Sequence, residues 1–163
     1  MAKIGRYSAD RKKIEQLTTT AKNITVADCG TIFMLDGQSL SADVTHTLPH
    51  PGDAGNGWWC KFLVEATGSN SQVLDLGGDD VVIKVRAKGQ ETSGSATFLA
   101  EDLMCTQIHE TAGAAGLSDQ EHDTLTIKGE TAAGSQLEVV TDGNKYYILG
   151  SCVADGNITL TDN

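Results

Sequence analysis

The sequence predicts an all-β protein, a single antiparallel β-sandwich of the jelly-roll type with a short basic N-terminal arm. Short apolar runs recur along the chain, and Thr, Asp, Ser and Gly fill the gaps between them. The chain has 18 glycines and only 2 prolines, which is typical of many tight turns. Roughly seven to ten short strands favour a sandwich over alternating βαβ units. We therefore predict an arm over residues 1–22 and a β-sandwich body over residues 23–163.

The N-terminal arm contains a segment that predicts a short helix. Ser8 is a favourable N-cap, and Ile14 and Leu17 lie three residues apart, which would place both side chains in one apolar stripe. A helix this short is not stable by itself in water. We therefore expect the arm to become ordered by docking on the body or on a neighbouring molecule.

The first half of the body predicts strands that are separated by turns. Ile24 and Val26 begin a strand that ends at the Asp28-Cys29-Gly30 turn. Further strands are predicted over residues 31–35, 43–48, 58–66 and 73–76, with a loop over residues 49–57.

Alternation within two of these strands predicts which side chains face the core. One face of the strand at 43–48 would carry Val44, His46 and Leu48. In the strand at 58–66, the side chains that share one face are those of Trp58, Cys60, Phe62, Val64 and Ala66. The opposite face of that strand carries Trp59, Lys61, Leu63 and Glu65.

The second half of the body ends in a clear hairpin. Residues 81–88 alternate as a strand with Lys84, Arg86 and Lys88 outward, and residues 111–123 predict an exposed acidic loop. Residues 97–110 suit a helix about as well as two strands, and we favour strands because the context is β. The remaining strands are predicted at residues 125–127, 137–141, 145–153 and 158–160. The Asp142-Gly143-Asn144 turn joins the second and third of these, because its glycine accepts positive φ without strain.

The charges divide the chain into a cationic arm and an anionic body. The arm has six basic and two acidic residues, a balance of +4, whereas the body has six basic and twenty acidic residues, a balance of −14. Such a body opposes an approach to phosphates, so we expect no nucleic-acid partner. A carboxylate-rich protein surface suits the arm better. The predicted contact residues are Lys3, Arg6, Tyr7, Arg11, Lys12, Lys13, Ile14, Leu17 and Lys22.

The chain contains no recognised motif for catalysis, a cofactor or a metal. GxSxG, P-loop and GxGxxG patterns are absent from the sequence. His46 and His50 are separated by Pro49, so they do not share a helix face, and the acidic segments at 79–80 and 119–123 lack the spacing of a calcium loop. We predict a non-enzymatic protein with no catalytic residue, cofactor or metal. A calcium-dependent hydrolase is the alternative.

Two aromatic pairs, Trp58-Trp59 and Tyr146-Tyr147, lie in predicted strands. Adjacent residues of a strand face opposite sides, so one member of each pair should pack in the core. Trp59 and Tyr147 are the predicted outward members. Such residues suit a subunit interface or stacking on sugar rings, and the sequence leaves both interpretations open.

The cysteines and the hydropathy pattern indicate a protein made in a reducing cytoplasm. Cys29, Cys60, Cys105 and Cys152 form no CxxC pair, and we expect them to be reduced and buried. Three disulfide pairings stay open, because spacing does not choose among them. No run approaches the roughly 18 apolar residues of a membrane span, and no apolar segment follows the N-terminal charges, so we expect neither membrane contact nor secretion.

Two blocks of the sequence follow a recurring pattern of short motifs. The first block is Ile24-Thr25-Val26-Ala27-Asp28-Cys29-Gly30-Thr31, followed by Phe33, Val44, Thr47-Leu48-Pro49, Gly57 and Phe62. The second contains Ile127-Lys128-Gly129 and Gly134-Ser135, and then runs from Leu137-Glu138-Val139-Val140 through Asp142-Gly143-Asn144 to Tyr146-Tyr147-Ile148-Leu149-Gly150. Together the blocks cover about half of the chain. In this respect the chain resembles the capsid decoration, or cement, proteins of tailed bacteriophages, many of them from aquatic hosts.

The resemblance implies a non-enzymatic β-sandwich that binds the outside of a capsid and stabilises it. The implied partner is the major capsid protein, and the implied state is a homo-oligomer, with a trimer favoured. The implied location is the capsid exterior of the virion, after synthesis in the host cytoplasm. Related modules in head-fibre and tail proteins imply the alternative, a β-sandwich that binds host-surface carbohydrate. Cys29, Cys60 and Trp58-Trp59 depart from the family pattern.

Overall fold

The structure, a computed structural model, describes residues 12–76, 83–86, 109–110, 124–151 and 157–161. Most of these residues lie in β-strands, so the predicted all-β class is confirmed. The strands are β1 (Ile14–Leu17), β2 (Ile32–Asp36), β3 (Val44–Thr47), β4 (Asn56–Ala66), β5 (Gln72–Asp75), β6 (Ile83–Arg86), β7 (His109–Glu110), β8 (Thr124–Ile127), β9 (Gln136–Asp142), β10 (Tyr146–Ser151) and β11 (Ile158–Thr161). The helical elements among the described residues are a four-residue helix, α1 (Pro51–Ala54), and the 3₁₀ turns Val26–Asp28 and Gly37–Ser39.

The described strands form two mixed sheets. Sheet A has the order β1-β2-β4-β9-β10-β6, and sheet B has the order β3-β5-β8-β11-β7. The pairs within β4-β9-β10 and within β5-β8-β11 are antiparallel, whereas the other pairs are parallel. The prediction of a purely antiparallel arrangement is therefore wrong. The chain leaves sheet A after β2, contributes β3 to sheet B and returns as β4 in the original direction, which makes β2 and β4 a parallel pair.

The two sheets contribute side chains to one buried apolar cluster. From sheet A it includes Phe33, Leu35, Trp58, Cys60, Phe62, Leu137, Val139 and Ile148, and from sheet B Leu74, Leu125, Ile127 and Ile158. The ring centroids of Phe33 and Phe62 lie 5.4 Å apart in a stacked arrangement. Val44, His46 and Leu48 are all buried, so the face predicted for this strand is confirmed. Burial of Trp58, Cys60, Phe62 and Val64 confirms the predicted inward face of β4, and Ala66 at its end is half-buried.

The end of the N-terminal arm is a strand and not part of a helix. β1 pairs in parallel with β2, and the N–H of Ile32 donates to the carbonyl of Lys13 at 2.8 Å. Leu17 is only 2% exposed and belongs to the core, whereas Ile14 is 66% exposed. The helix prediction is therefore wrong over residues 14–17. A free edge on β2 gives the arm backbone hydrogen bonds and a buried site for Leu17, which a short solvated helix lacks.

The strand predicted from Ile24 and Val26 is also absent from the described structure. The N–H of Ile24 donates to the carbonyl of Thr47 at 2.8 Å, so residues 22–24 lie along the edge of β3. The chain then forms the 3₁₀ turn Val26–Asp28, because the Asp28 carboxylate accepts a hydrogen bond from the N–H of Thr25 at 2.9 Å. Later in the chain, α1 occupies part of the predicted loop at residues 49–57, and β4 begins at its end.

The β9–β10 hairpin confirms the turn that the sequence predicts. Asp142 Oδ1 accepts hydrogen bonds from the N–H groups of Asn144 and Lys145, both at 2.9 Å. Gly143 has a φ of 88°, which a residue with a side chain rarely adopts. The two strands pair in antiparallel register from Tyr146 opposite Thr141 onward.

Several predictions concern residues outside the described ranges. β6 confirms a strand at the centre of the segment predicted over 81–88, and β7 is a strand at the end of the ambiguous segment 97–110. Most of that ambiguous segment, the loop predicted at 111–123, Cys105 and Cys152 lie outside the described residues. So do Lys3, Arg6, Tyr7 and Arg11 of the arm.

Candidate functional site

The outer face of sheet A, opposite the buried core, carries a large share of apolar side chains. Alternation along each strand sends one residue inward and the next outward, and strand pairing aligns the outward residues in rows. The apolar and aromatic residues of this outer face are Ile14, Ile32, Met34, Trp59, Leu63, Val140, Tyr147 and Leu149. Ile14 is 66% exposed and Leu149 is 43% exposed, whereas the others are half-buried. Contiguous apolar surface of this kind is typical of an interaction site.

Trp59 and Tyr147 lie on this face in one row. Trp59 pairs with Val140 of β9, and Val140 pairs with Tyr147 of β10, so the two aromatic residues are two strands, about 10 Å, apart. Their neighbours Trp58 and Tyr146 are buried. The prediction that Trp59 and Tyr147 are the outward members of their pairs is therefore confirmed.

Local contacts orient both outward aromatic residues. The N–H of Gly30 donates to the carbonyl of Trp59 at 2.7 Å, and a Cβ atom added to Gly30 would lie 3.6 Å from Cζ2 of the indole. The ring of Trp59 therefore lies beside bare backbone at Gly30. The hydroxyl of Tyr147 donates to Asp142 Oδ2 at 2.9 Å, which directs this ring toward the hairpin turn.

Hydrogen bonds explain why Trp58 and Tyr146 are the inner members. The indole N–H of Trp58 donates to the carbonyl of Val26 at 3.1 Å, and the hydroxyl of Tyr146 donates to the carbonyl of Pro49. The ring centroids of Trp58 and Tyr146 lie 6.1 Å apart. Burial raises the pKa of Tyr146, which stays a neutral donor at physiological pH. Both polar atoms are thus satisfied inside the protein.

A pair of opposite charges occupies the centre of the outer face. Lys61 of β4 pairs directly with Glu138 of β9, and β4 and β9 are the two central strands of the six in sheet A. Both residues are half-buried. Ile32 flanks Lys61 on one side and Leu149 flanks Glu138 on the other, so the charged pair has apolar neighbours in its row, and the row ends at the position of Arg86 in β6.

The structure divides the described arm residues into three groups. Lys12 and Ile14 are exposed, and Leu17 is buried in the core. Lys13 Nζ lies 2.7 Å from Asp28 Oδ1, which raises the pKa of Lys13 through the hydrogen bond to that carboxylate.

Lys22 joins Lys13 in the third group, because it too is paired with a carboxylate of this chain. Its Nζ lies 2.5 Å from Glu15 Oε1, and the same amine lies 5.7 Å from the ring centroid of Phe33. Glu15 also lies 3.3 Å from Lys13. The hydrogen bond from Lys22 lowers the pKa of Glu15. Of the arm lysines in the described part of the chain, Lys12 is therefore the one placed to meet an external carboxylate.

His46 is a fully buried histidine whose two ring nitrogens are both hydrogen-bonded. Nδ1 accepts from the backbone N–H of Lys22 at 3.1 Å, and Nε2 lies 3.1 Å from the amide oxygen of Gln72. The ring must therefore be neutral, with its proton on Nε2. Burial lowers the pKa of His46. The interaction ties residue 22 to the edge of β3, and no sequence signal predicts it.

The described cysteines are free thiols in different environments. Cys60 is buried, and burial raises its pKa well above the ordinary range. Cys29 is exposed in the turn before β2, so the prediction that it is buried is wrong. Within the described ranges, no group of three or more His, Cys, Asp and Glu side chains is arranged to hold a metal ion.

Sequence reasoning found Trp59 and Tyr147 but missed the residues that connect them. The order of β4, β9 and β10 brings Val140, Lys61 and Glu138 into the candidate site, and local alternation does not reveal that order. The nearest sequence signal was the assignment of Lys61 to the same outward face as Trp59.

Comparison with protein-family models, with curated proteins and with solved structures finds no match to this chain. Among the described residues, no helix is both long enough and apolar enough to cross a membrane.

Proposed function

We propose that this chain is a non-enzymatic capsid decoration, or cement, protein that binds the outside of a tailed-phage capsid and stabilises it. The observation that carries the proposal is the outer face of sheet A, where apolar and aromatic side chains flank a central pair of opposite charges and the outward positions of the edge strand β6 are basic, Lys84 and Arg86. Aromatic residues that are exposed on a sheet face are typical anchors of protein interfaces. The sequence resemblance described above supports the same function.

In finer detail, we propose that the fold is a β-sandwich of the jelly-roll type. The two sheets share one buried cluster, which supports a two-layer arrangement. In that arrangement the outer face of sheet A is one of the two broad surfaces of the molecule. A rigid layered body of this kind can bridge neighbouring subunits of a protein lattice on the capsid exterior.

The basic arm is the proposed anchor to the major capsid protein. Residues 1–12 carry four basic residues and one acidic residue, a balance of +3. Lys13 and Lys22, by contrast, are already paired with Asp28 and Glu15. The uncompensated positive charge of the arm therefore lies before residue 13, where it can meet carboxylates of the lattice.

Binding to capsids tests the proposal directly. The full chain is mixed with expanded, undecorated capsids made from the major capsid protein of the same genome, and the mixture is sedimented. We expect saturable co-sedimentation at low salt, and weaker binding by a variant that lacks residues 1–11, because salt-sensitive charge contacts are lost. This truncation keeps β1 and the Lys13–Asp28 pair.

A matched variant separates charge from chain length. Replacement of Lys3, Arg6 and Arg11 by Gln keeps the length of the arm and should weaken binding about as much as the truncation. Equal thermal unfolding of the three proteins serves as the control for folding. No co-sedimentation of the full chain at low salt would overturn the proposal.

A second candidate function is a head-fibre or tail-associated module that binds host-surface carbohydrate. The specific observation in its favour is that Trp59 and Tyr147 share one face about 10 Å apart, where two rings could stack on one glycan chain. Retention on immobilised host glycans should then be lost in Trp59→Ala and kept in Tyr147→Phe, which preserves the ring. Equal retention of Trp59→Ala and the unaltered chain would exclude this function for the outer face.

A further inference from the structure

The central charge pair gives the outer face of sheet A a pattern that is complementary to itself. We propose that two copies of this chain pack their outer faces together about a two-fold axis that runs parallel to β4 and β9, midway between these strands. The inference concerns self-association through the same face that carries the proposed capsid contact, so a dimer in solution must open before this face can meet a capsid. It commits to a second copy of the chain as the occupant of this face.

The position of Lys61 and Glu138 selects the direction of the axis. An axis parallel to the strands sends β4 of one copy over β9 of the other, so Lys61 of each copy faces Glu138 of the other copy. An in-plane axis across the strands would instead place Lys61 over Lys61 and Glu138 over Glu138. Like charges opposed in an interface cost several kcal/mol, whereas opposite charges fix the register. The charge pattern therefore favours the first arrangement alone.

The same operation brings apolar residues together on both sides of the charge pair. Trp59 of one copy faces Val140 of the other, and Ile32 faces Leu149, because these residues occupy mirrored columns of the six-stranded order. Tyr147 faces the column of Gly30, where the indole ring of Trp59 lies beside the glycine and would meet it. Stacked sheets lie about 10 Å apart and cross at about −30°, so these matches hold best near the axis.

The axis also divides sheet A evenly. Three strands lie on each side of it, β1-β2-β4 and β9-β10-β6. The operation sets β6 over β1, so the position of Arg86 faces Ile14, and the apolar contact comes from the four central strands. Such a contact is isologous, because each copy contributes the same patch, and it closes after two copies. Burial of the exposed side chain of Leu149 adds apolar area.

The net charge of −10 on each copy opposes the association at long range. At physiological ionic strength the Debye length is about 8 Å, so repulsion between distant acidic residues is largely screened. The local attraction at Lys61 and Glu138 lies in the centre of the face and is screened less. We therefore expect the dimer to become stronger when salt is raised from about 10 mM to about 150 mM.

Charge reversal with mixing tests the proposed contact between copies. The full chain and the variants Lys61→Glu and Glu138→Lys are compared by sedimentation equilibrium at about 150 mM salt. The unaltered chain should be dimeric, and each variant alone should dimerise at least about 10-fold more weakly, because its face opposes like charges. An equimolar mixture of the two variants should recover dimers, since an all-acidic centre then meets an all-basic one.

The mixture separates a contact between copies from a contact within one copy. Within each variant the Lys61–Glu138 neighbours remain like-charged, so recovery on mixing has to come from the other copy. Lys128→Glu makes the same charge change at the end of β8, away from this face, and should leave the dimer unchanged. A monomeric or trimeric unaltered chain, or a mixture that stays as weak as its components, would overturn the proposal.

A measurement on the unaltered chain avoids any effect of the substitutions on folding. Isotopically light and heavy copies are mixed and treated with a zero-length reagent that couples amines to carboxylates. We expect a coupled peptide pair in which Lys61 comes from one isotopic form and Glu138 from the other. Coupling of Lys61 to Glu138 only within one isotopic form would contradict a contact between copies.

Discussion

Asp28 connects the N-terminal arm to the first turn of the body. Its Oδ1 accepts from Lys13 Nζ at 2.7 Å, and its Oδ2 accepts from the N–H and the hydroxyl of Thr25 at 2.9 and 3.1 Å. Burial by itself would raise the pKa of this carboxyl, but the hydrogen bonds from Lys13 and Thr25 outweigh burial and lower the pKa to about 2. One carboxylate thus closes the turn and holds β1 in place.

Replacement of Asp28 should destabilise the protein in a pH-dependent manner. The folded pKa lies below the ordinary value of 3.8, so the stabilisation is fully present above pH 3.8 and is lost as the pH falls toward 2. We expect Asp28→Asn to lower the free energy of unfolding by about 1–3 kcal/mol at pH 7 and by much less near pH 2. Urea denaturation across this range measures the difference, and the exposed Asp53→Asn is the control. A difference that stays constant down to pH 2 would contradict this assignment.

His46 should make a second, separate contribution to the pH dependence of the free energy of unfolding, at mildly acidic pH. Its folded pKa is lowered from 6.5 by burial, so the unfolded chain binds a proton at a higher pH than the folded chain. Stability from the neutral ring is complete above pH 6.5 and falls as the pH decreases below it. We expect His46→Gln to remove this part of the pH dependence, whereas His50→Gln, at an exposed position, should keep it. Identical pH profiles for His46→Gln and the unaltered chain would exclude His46 as the titrating group.

At the scale of elements, a glycine contact joins the ends of the two sheets. The N–H of Gly68, after β4, donates to the carbonyl of Gly129, after β8, at 2.7 Å. A Cβ atom added to Gly68 would overlap the carbonyl oxygen of Gly37, which is a backbone atom that cannot rotate away. The turns that follow β2 and β4 of sheet A therefore approach each other at a distance that only glycine allows at position 68.

Gly68→Ala should consequently destabilise the fold through overpacking. We expect a loss of about 1–3 kcal/mol in the free energy of unfolding, measured by urea denaturation. Gly52→Ala is the matched control, because its added Cβ atom would approach a side chain, with Nδ1 of exposed His50 3.1 Å away, and its nearest backbone atom, the oxygen of Gly143, would lie 4.0 Å away. Equal stability of Gly68→Ala and Gly52→Ala would show that the backbone contact is not tight.

The elements that the sequence predicts well are those whose evidence is local. Alternation identifies β4, and the Asp142-Gly143 turn identifies the hairpin, because neighbouring residues supply both signals. β1 was predicted as a helix, since the spacing of Ile14 and Leu17 fits a helix and the edge of β2 that receives them lies elsewhere in the chain. Strand order and parallel pairing depend in the same way on contacts between distant residues.

The candidate site shows the same limit. Trp59 and Tyr147 could be predicted as outward residues from strand alternation alone. The pairing of β2, β4, β9 and β10 sets their common row, the central position of Lys61 and Glu138, and the place of the Trp59 ring beside Gly30. No local pattern in the sequence specifies that pairing.

At the scale of the whole molecule, the structure locates the unpaired positive charge of the arm more narrowly than the sequence does. Two of the arm lysines neutralise Glu15 and Asp28, and the +3 balance of residues 1–12 remains for an external partner. The body offers a broad apolar face on sheet A and carries most of the negative charge. In the proposed function, the anchor and the interface would therefore be separate parts of the chain, which suits a protein that attaches at one point and bridges at another.

The stability of decorated capsids is the measurement that tests the central claim most directly. A protein that binds only the assembled lattice stabilises it by an amount that grows with the concentration of the free protein relative to its Kd. Expanded capsids are heated with a saturating amount of the full chain and without it, and the release of capsid protein is followed with temperature. We predict that disruption shifts to a higher temperature with the full chain and by less with the variant that lacks residues 1–11. An unchanged disruption temperature at saturating protein would contradict a cementing function.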